Sequence, residues 1–540
     1  MMSFIESADF ITVVTVLVAL VTLINVLVEY KRDLMMLQQN SYRNERYEKW
    51  LRVSGDTTTG VRLAALVVLM ISLVRFVDIR WAMGLIAVFS GGCTIWRLKM
   101  KYKKPLVWTN RAKRIYTVML AISFIVAFVV YAVASAYTSG LEPLFIFTLS
   151  WLFMYCCSHG VILVSNWLLK PVEKRINKGY YDDAARILAS MPDLRVIGVT
   201  GSYGKTSTKH YLQRILSEKY DVLMTPGSYN TTMGVIRTIR EVLKPYNEVF
   251  IVEMGAKQPG DIDEICKLVH PEIGIVTAVG EQHLESFGNI ENVQKTKFEL
   301  IDSLPENGLA VVNDDFEYVA NRKVSNVECV RYGIKNAGNA DYTAINIEYG
   351  THGTTFVVVG NGKTLNLSTK LVGECNISNL IAAVIVALYL EVPEDKIRYA
   401  VERIEQVEHR LNLKRTPGGI TIIDDAFNSN PTGSAMALDV LSRMKGGKRI
   451  IITPGMIELG DRQYELNKQF GLNIAKSVDV AIVVGEYNRA AILEGLSDGH
   501  MPDANVHAVP TFAASQQLLA RIAMPGDTVL YENDLPDTFK

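Results

Sequence analysis

Val199-Thr200-Gly201-Ser202-Tyr203-Gly204-Lys205-Thr206-Ser207 lies between a short apolar run, residues 196–199, and a helical pattern. Strand, glycine loop and helix in that order are the setting in which a nucleotide-phosphate loop works. Gly201 and Gly204 let backbone amides approach phosphate oxygens, Lys205 supplies a point charge for the distal phosphates, and the Thr206 hydroxyl is placed to hold Mg2+. The strict pattern has a glycine five positions before Gly204, where this chain has Val199, so the shortened form Thr-Gly-x-x-Gly-Lys-Thr carries the reading. An ATP-using enzyme follows from it.

Downstream, apolar runs at 196–199, 249–252, 273–276 and 309–312 alternate with helical stretches. That alternation predicts a parallel sheet with helices on both faces, with functional residues at the carboxyl ends of its strands. A β-rich insertion is expected over 342–371, a helix over 376–390, and a second α/β series from Thr421 through 450–452, 481–484 and 528–530. Glu253 closes one strand, where a metal near the phosphate loop needs a hard oxygen. His283 follows another, at the same sheet edge.

The 540 residues carry 56 basic and 56 acidic side chains, so no global charge points to nucleic acid. The mean hydropathy of +0.16 is high for a chain with 21% charged residues, and the apolar residues concentrate before residue 170. Residues 10–28 and the runs beginning at Val61, Trp81, Ile115 and Leu141 each approach the roughly 20 residues that cross a bilayer, giving five candidate spans. The runs at 60–74 and 81–96 are short enough for a tight or re-entrant hairpin, which would leave three crossings. Lys31, Arg32, Arg43, Arg46, Lys49 and Arg52 follow the first span, and Arg97, Lys99, Lys101, Lys103, Lys104, Arg111, Lys113 and Arg114 follow the third. Both loops are expected in the cytoplasm, with Lys170, Lys174 and Arg175 at the inner end of the fifth span; Arg75 and Arg80 conflict with this orientation. The first run lacks a basic leader and a small-residue cleavage site and reads as an anchor. Cys93, Cys156, Cys157, Cys266, Cys329 and Cys375 show no spacing for zinc, a redox dithiol or a disulfide framework.

With these segments in place, residues 192–540 resemble the Mur ligase family, most closely its MurF branch. Residues 200–209 match the family's ATP loop. Thr225-Pro226-Gly227-Ser228-Tyr229-Asn230 with Gly234, Glu253-Met254-Gly255-Ala256 with Pro259-Gly260, and residues 281–288 match successive family segments. Residues 373–379, His409-Arg410 and Asp424-Asp425-Ala426-Phe427-Asn428-Ser429-Asn430-Pro431 follow. The resemblance implies a P-loop-type central domain, 192–408, and a Rossmann-like C-terminal domain, 409–540, after a membrane region, 1–170, and a connecting helix, 171–191. It assigns nucleotide binding to Gly201, Ser202, Gly204, Lys205, Thr206 and Ser207, the adenine side to Asn376 and Asn379, and the ribose and phosphates to Arg410 and Asp424 or Asp425. Thr206 and Glu253 would serve one Mg2+, and His283 a second metal. Lys297 aligns with a lysine that the family carbamylates into a metal ligand, with Lys295 as the alternative.

That family activates a carboxylate with ATP as an acyl phosphate, which an amine then attacks. The expectation is therefore an ATP- and Mg2+-dependent amide ligase of peptidoglycan and cell wall biogenesis, joining a carboxylate acceptor to an amino acid or dipeptide. Typical MurF proteins begin with a soluble domain that holds a UDP-linked acceptor, and this chain has apolar spans there. A lipid-linked acceptor at the cytoplasmic face of the cell membrane becomes an expectation, with the 97–114 loop facing anionic lipid or serving only as a topology signal. The segment 455–460 resembles MurF; the tail from Tyr531 to Asp537 does not, so the amine cannot be copied from the family. The alternatives are a membrane-associated ligase of the poly-γ-glutamate synthetase type and a non-catalytic ATP-binding membrane scaffold. Intact Lys205, Glu253, His283 and Lys297 argue against the scaffold.

Overall fold

The computed structural model describes residues 8–74, 76–102, 104–350, 353–427 and 429–535; Arg75, Lys103, Asn428, Pro536 and Asp537 lie outside the described residues. The chain divides into two compact units that meet at Ile176–Asn177.

The first unit is helical: α1 (Ala8–Gln39), α2 (Asn44–Ser54), α3 (Gly60–Ser72), α4 (Ile79–Lys99), α5 (Asn110–Tyr137), α6 (Glu142–Cys156) and the start of α7 (Ser158–Ala189). Three helices, Ile11–Gln39, Ile79–Lys99 and Asn110–Tyr137, are long and apolar enough to cross a membrane. The expected five spans are not five such helices. The run from Val61 forms only the 13-residue α3, about 20 Å long against the ~30 Å of hydrocarbon. The run from Leu141 breaks into α6 and α7, bent by 75°. At that break the Tyr155 carbonyl accepts a hydrogen bond from Arg62 Nη1 at 3.2 Å, so the bend leaves it partnered. The connecting segment 171–191 is the continuation of α7 to Ala189, running through Pro171.

Charged groups are buried between these helices. Glu29 takes Arg62 Nη2 at 2.8 Å on one oxygen and Arg97 Nε at 2.9 Å on the other. Asp56 takes both terminal nitrogens of Arg32, and Asp33 accepts from Arg32 and from the Ser158 hydroxyl. His159 places Nε2 3.1 Å from Asp56 and Nδ1 2.8 Å from the Tyr47 hydroxyl. Asp33, Asp56 and His159 bring ligand atoms within 4.8 Å of one another. The guanidiniums of Arg32 and Arg62 already neutralise these carboxylates, so the cluster is an ion-pair lattice and not a cation site.

In the second unit the expected strands appear as β1 (Arg195–Thr200), β3 (Val249–Glu253), β4 (Ile273–Val276) and β5 (Leu309–Asn313), joined by β2 (Val222–Met224) and β6 (Glu328–Tyr332). The insertion is an antiparallel meander, β7 (Tyr342–Gly350), β8 (Gly353–Gly360) and β9 (Lys363–Thr369), giving the order β2-β3-β1-β4-β5-β6-β7-β8-β9. Val196 to Thr200 and all of β3 and β5 are buried, as the unbroken apolar runs of a two-sided sheet require. Helix Glu374–Tyr389 packs Ile377 and the run from Leu380 to Ala387 into one core with residues of those strands. The second sheet follows as β10 (Asn412–Arg415), β11 (Thr421–Asp425), β12 (Arg449–Thr453), β13 (Val480–Val484), β14 (Val506–Val509) and β15 (Thr528–Glu532), ordered β10-β11-β15-β12-β13-β14. β2, β10 and β14 escape a sequence reading because they are short edge strands with no sustained apolar run.

Candidate active site

The turn from β1 into α8 (Lys205–Leu216) is wedged between the end of β4 and helix Glu374–Tyr389. Gly201 has φ +150°, and a Cβ there would lie 2.1 Å from Thr277 Oγ1; Gly204 has φ +79°, and its Cβ would lie 2.5 Å from Asn379 Oδ1. Both positions therefore require glycine. Ser202 braces the turn: its amide donates to Ala278 O at 2.8 Å, and its hydroxyl exchanges 3.0 Å hydrogen bonds with the backbone of Gly280. Lys205 folds back to donate to Gly201 O at 2.6 Å. Burial lowers its ammonium to about 8, with Glu253 opposing and Arg410 reinforcing the shift. Thr206 and Ser207 open α8, half-buried and buried.

Glu253, the last residue of β3, is 1% exposed. Its Oε1 accepts from Asn230 Nδ2 at 3.1 Å, while Oε2 accepts no hydrogen bond and lies 3.0 Å from Lys209 Nζ. Burial works against its charge, but Lys209 and Lys205 hold the carboxyl below the usual range. An ionised, buried oxygen without a hydrogen-bond donor, at the edge that carries the Thr206 hydroxyl, fits a hard divalent cation.

His283 has φ +52° and pairs through Nδ1 with Glu458 of the second sheet's domain, which leaves Nε2 as the nitrogen to meet a metal. Burial lowers its proton affinity despite Glu458. Lys257 Nζ approaches Glu458 at 3.7 Å, and Arg462 pairs with Glu281, so the histidine segment is tied to residues 458–462. Lys297 is 2% exposed, and burial, reinforced by Lys205, lowers it to about 7. Lys295 is exposed. Residues two apart on a helix face different ways, so only one of the pair turns inward.

Asn379 sits against Gly204, whereas Asn376 has its oxygen bonded by the Tyr211 hydroxyl at 2.8 Å and its nitrogen bonded to Val372 O at 2.8 Å. The two aspartates separate. Asp424 is bound by His409 and by Lys414 at 3.2 Å, which outweigh burial and keep it below the usual range. Asp425 is raised to about 6 by burial, against the pull of Arg410. Arg410 lies 4.2 Å from the Phe427 ring centre. Sequence reasoning missed Lys209, one turn after Lys205; Glu458, visible only as part of a matched segment; and Glu532, the cross-strand partner of Asp425, buried and bonded by Ser429. The four-residue spacing of the two lysines was the available signal for the first. Contacts across 175 residues leave none in a single sequence.

Lys205 and Arg410, both half-buried, and the buried Lys297 thus act electrostatically on Glu253 with few anions of their own, an arrangement that suits an anionic ligand.

Residues 199–387 match the Mur ligase middle domain and residues 409–531 the Mur ligase glutamate ligase domain. The UDP-N-acetylmuramoyl-tripeptide--D-alanyl-D-alanine ligase of Escherichia coli is 31% identical over 368 residues, covering 67% of this chain and 81% of that protein. Its Bacillus subtilis counterpart is 28% identical over 381 residues, covering 69% and 78%. Among solved structures, MurF from Acinetobacter baumannii superposes with a TM-score of 0.60 at 27% identity, over 66% of this chain and 76% of that one. MurF ligase from Thermotoga maritima in complex with ADP gives 0.60 at 26%, over 66% and 80%.

Proposed function

The chain belongs to the Mur ligase family, whose members are ATP- and Mg2+-dependent, ADP-forming ligases, and from that premise we propose a division of labour among its residues and an acceptor presented at a membrane. It is a MurF-like ligase that forms a peptide bond in the synthesis of a peptidoglycan precursor. The reaction joins a muramyl peptide carboxylate to the amine of a dipeptide such as D-alanyl-D-alanine.

A carboxylate is a poor electrophile at neutral pH, so its oxygen attacks the γ-phosphorus of ATP. The bond to ADP breaks and an acyl phosphate forms. The amine then attacks the acyl carbon, and inorganic phosphate leaves from the tetrahedral intermediate. Gly201 and Gly204 let the loop close on the phosphates, and Lys205 and Arg410 meet their charge. Mg2+, when bound, adds neutralising charge to the transferring phosphoryl group. Thr206 and Glu253 would hold one ion, and His283 with a carbamylated Lys297 would hold a second. An amine near pKa 7 has the neutral fraction that carbamylation needs, and Lys297 faces inward where Lys295 faces outward. Asp425 faces the ribose; Asp424 is committed to His409 and Lys414. The ties from His283 and Glu281 to Glu458 and Arg462 hold the C-terminal domain, 409–540, over the central one, 192–408, and so keep water from the acyl phosphate.

The convergence of Lys205, Lys297 and Arg410 on the ionised Glu253 carries the assignment of roles. The membrane-presented acceptor rests on the three apolar helices that precede residue 170 and on family matches that begin only at residue 199. These helices anchor the chain in the cell membrane, with the basic loops and the ligase domains on the cytoplasmic side.

The test is phosphate release by the full chain in detergent, with panels of UDP-linked and lipid-linked muramyl peptides and of amines. Release faster with a lipid-linked acceptor supports membrane presentation; efficient turnover of only the UDP-linked one removes it. Release no faster than in Lys205→Ala with every pair would overturn the assignment of roles.

A further inference from the structure

Lys209 is fully buried, at 0% exposed, and its ammonium donates to backbone outside the phosphate loop. It lies one turn after Lys205 on the same face of α8, and the two lysines divide the space beneath the loop. Lys205 turns back to Gly201, whereas Lys209 reaches the end of β3. Its ammonium donates to Thr225 O at 2.9 Å and Gly227 O at 2.7 Å, and approaches Glu253 Oε2 at 3.0 Å. Two N–H groups thus donate to carbonyls, and the ammonium pairs with the carboxylate as an ion.

The carbonyls belong to a loop that also grips Glu253 from its other side. Asn230 donates to Glu253 Oε1 at 3.1 Å, the Glu253 amide donates to the Thr225 hydroxyl at 3.1 Å, and the Gly255 amide donates to Asn230 O at 2.7 Å. A Cβ on Gly255 would come within 2.8 Å of Asn230, so strand end and loop are in close contact. The carboxylate is therefore held by a hydrogen bond from the loop on Oε1 and by an ion pair at Oε2, and Lys209 staples that loop to the phosphate-loop helix.

We propose that Lys209 is a positioning residue of the ligase reaction: it fixes the Glu253 carboxylate and the 225–230 loop in the geometry that Mg2+ binding requires. The proposal rests on Glu253 being a metal ligand and adds a residue acting through it. Groups that orient a ligand in this way usually change metal affinity by about 10–100-fold when removed. A residue that only filled the core would change stability and leave metal affinity alone.

The test compares full-length wild type with Lys209→Gln, which keeps N–H donors for the two carbonyls but removes the cation, and with Lys209→Met, which removes both. The readout is the rise in melting temperature given by ADP alone and by ADP with increasing Mg2+. Both variants should keep the rise due to ADP alone and show a half-saturating Mg2+ concentration raised by about 10–100-fold. Half-saturation within twofold of wild type in either folded variant would overturn the proposal, whatever its thermal stability. Failure of both variants to fold would assign Lys209 to the scaffold and overturn it as well. A wild type without any Mg2+-dependent increment would defeat instead the reading of Glu253 as a ligand.

Discussion

In the helical region Glu29, Asp33 and Asp56 face Arg32, Arg62 and Arg97, and opposite charges cancel within the cluster. Around the phosphate loop Lys205, Lys209, Lys297 and Arg410 share Glu253 and Asp425, and Lys205 and Lys297 have lowered proton affinity because burial is not offset. Both clusters take charge out of water. The first spends every charge on a neighbour and so fixes where α1, α3 and α4 meet the segment around Asp56; the second keeps an excess of positive charge that suits an incoming anion. Balance marks architecture, and imbalance marks a binding site.

The largest expected effect lies in the balanced cluster. Glu29→Gln leaves Arg62 and Arg97 buried without their shared carboxylate, and unfolding of the detergent-purified chain should show a loss of about 3–5 kcal/mol. A melting temperature equal to wild type would erase the contrast. Lys205→Met should do the reverse, lowering kcat about 10²–10³-fold without loss of thermal stability, because no carboxylate depends on it alone. A drop in stability comparable to that of Glu29→Gln would show that the excess charge is structural after all.

A third effect follows the sign of the shifts. Lys205 and Lys297 bind protons more weakly in the folded chain, at about 8 and about 7, than in the unfolded one near 10.5. Between pH 7 and 10.5 the unfolded state holds more protons, so these groups make the nucleotide-free chain more stable as pH rises through that window. Below pH 7 both are charged in either state and their penalty is constant. Melting curves across the window should show the rise, flattened in Lys297→Met; a Lys297→Met profile with the wild-type slope would reject it. Carbamate formation should follow the neutral amine, with labelled bicarbonate entering about tenfold more slowly per pH unit below 7 and levelling above it. The smallest effect is expected of Lys295→Ala, within twofold of wild-type incorporation. Loss of label there would exchange the roles of the two lysines.

Much of the ligase fold is legible in the amino-acid sequence. The buried strands β1, β3, β4 and β5 announce themselves as unbroken apolar runs, and the loop between β1 and α8 by its glycines and Lys205-Thr206. Glu253 and His283 could be placed at one sheet edge because strand ends gather there. The apolar runs before residue 170 were equally plain, but their lengths and breaks were not: the run from Leu141 bends at Cys157, next to a carbonyl that Arg62 captures from another helix.

The sequence by itself determined which residue types stand at the phosphate loop and that short parallel strands would present them, since apolar period and glycine spacing act within one segment. Tertiary structure decided between residues that the chain left equivalent. Lys297 turns inward and Lys295 outward, Asp424 is taken by His409 and Lys414 while Asp425 faces Arg410, and Glu458 reaches His283. Those choices depend on burial and on partners distant in the chain, and a charge acquires its pKa and its function only from what surrounds it after folding.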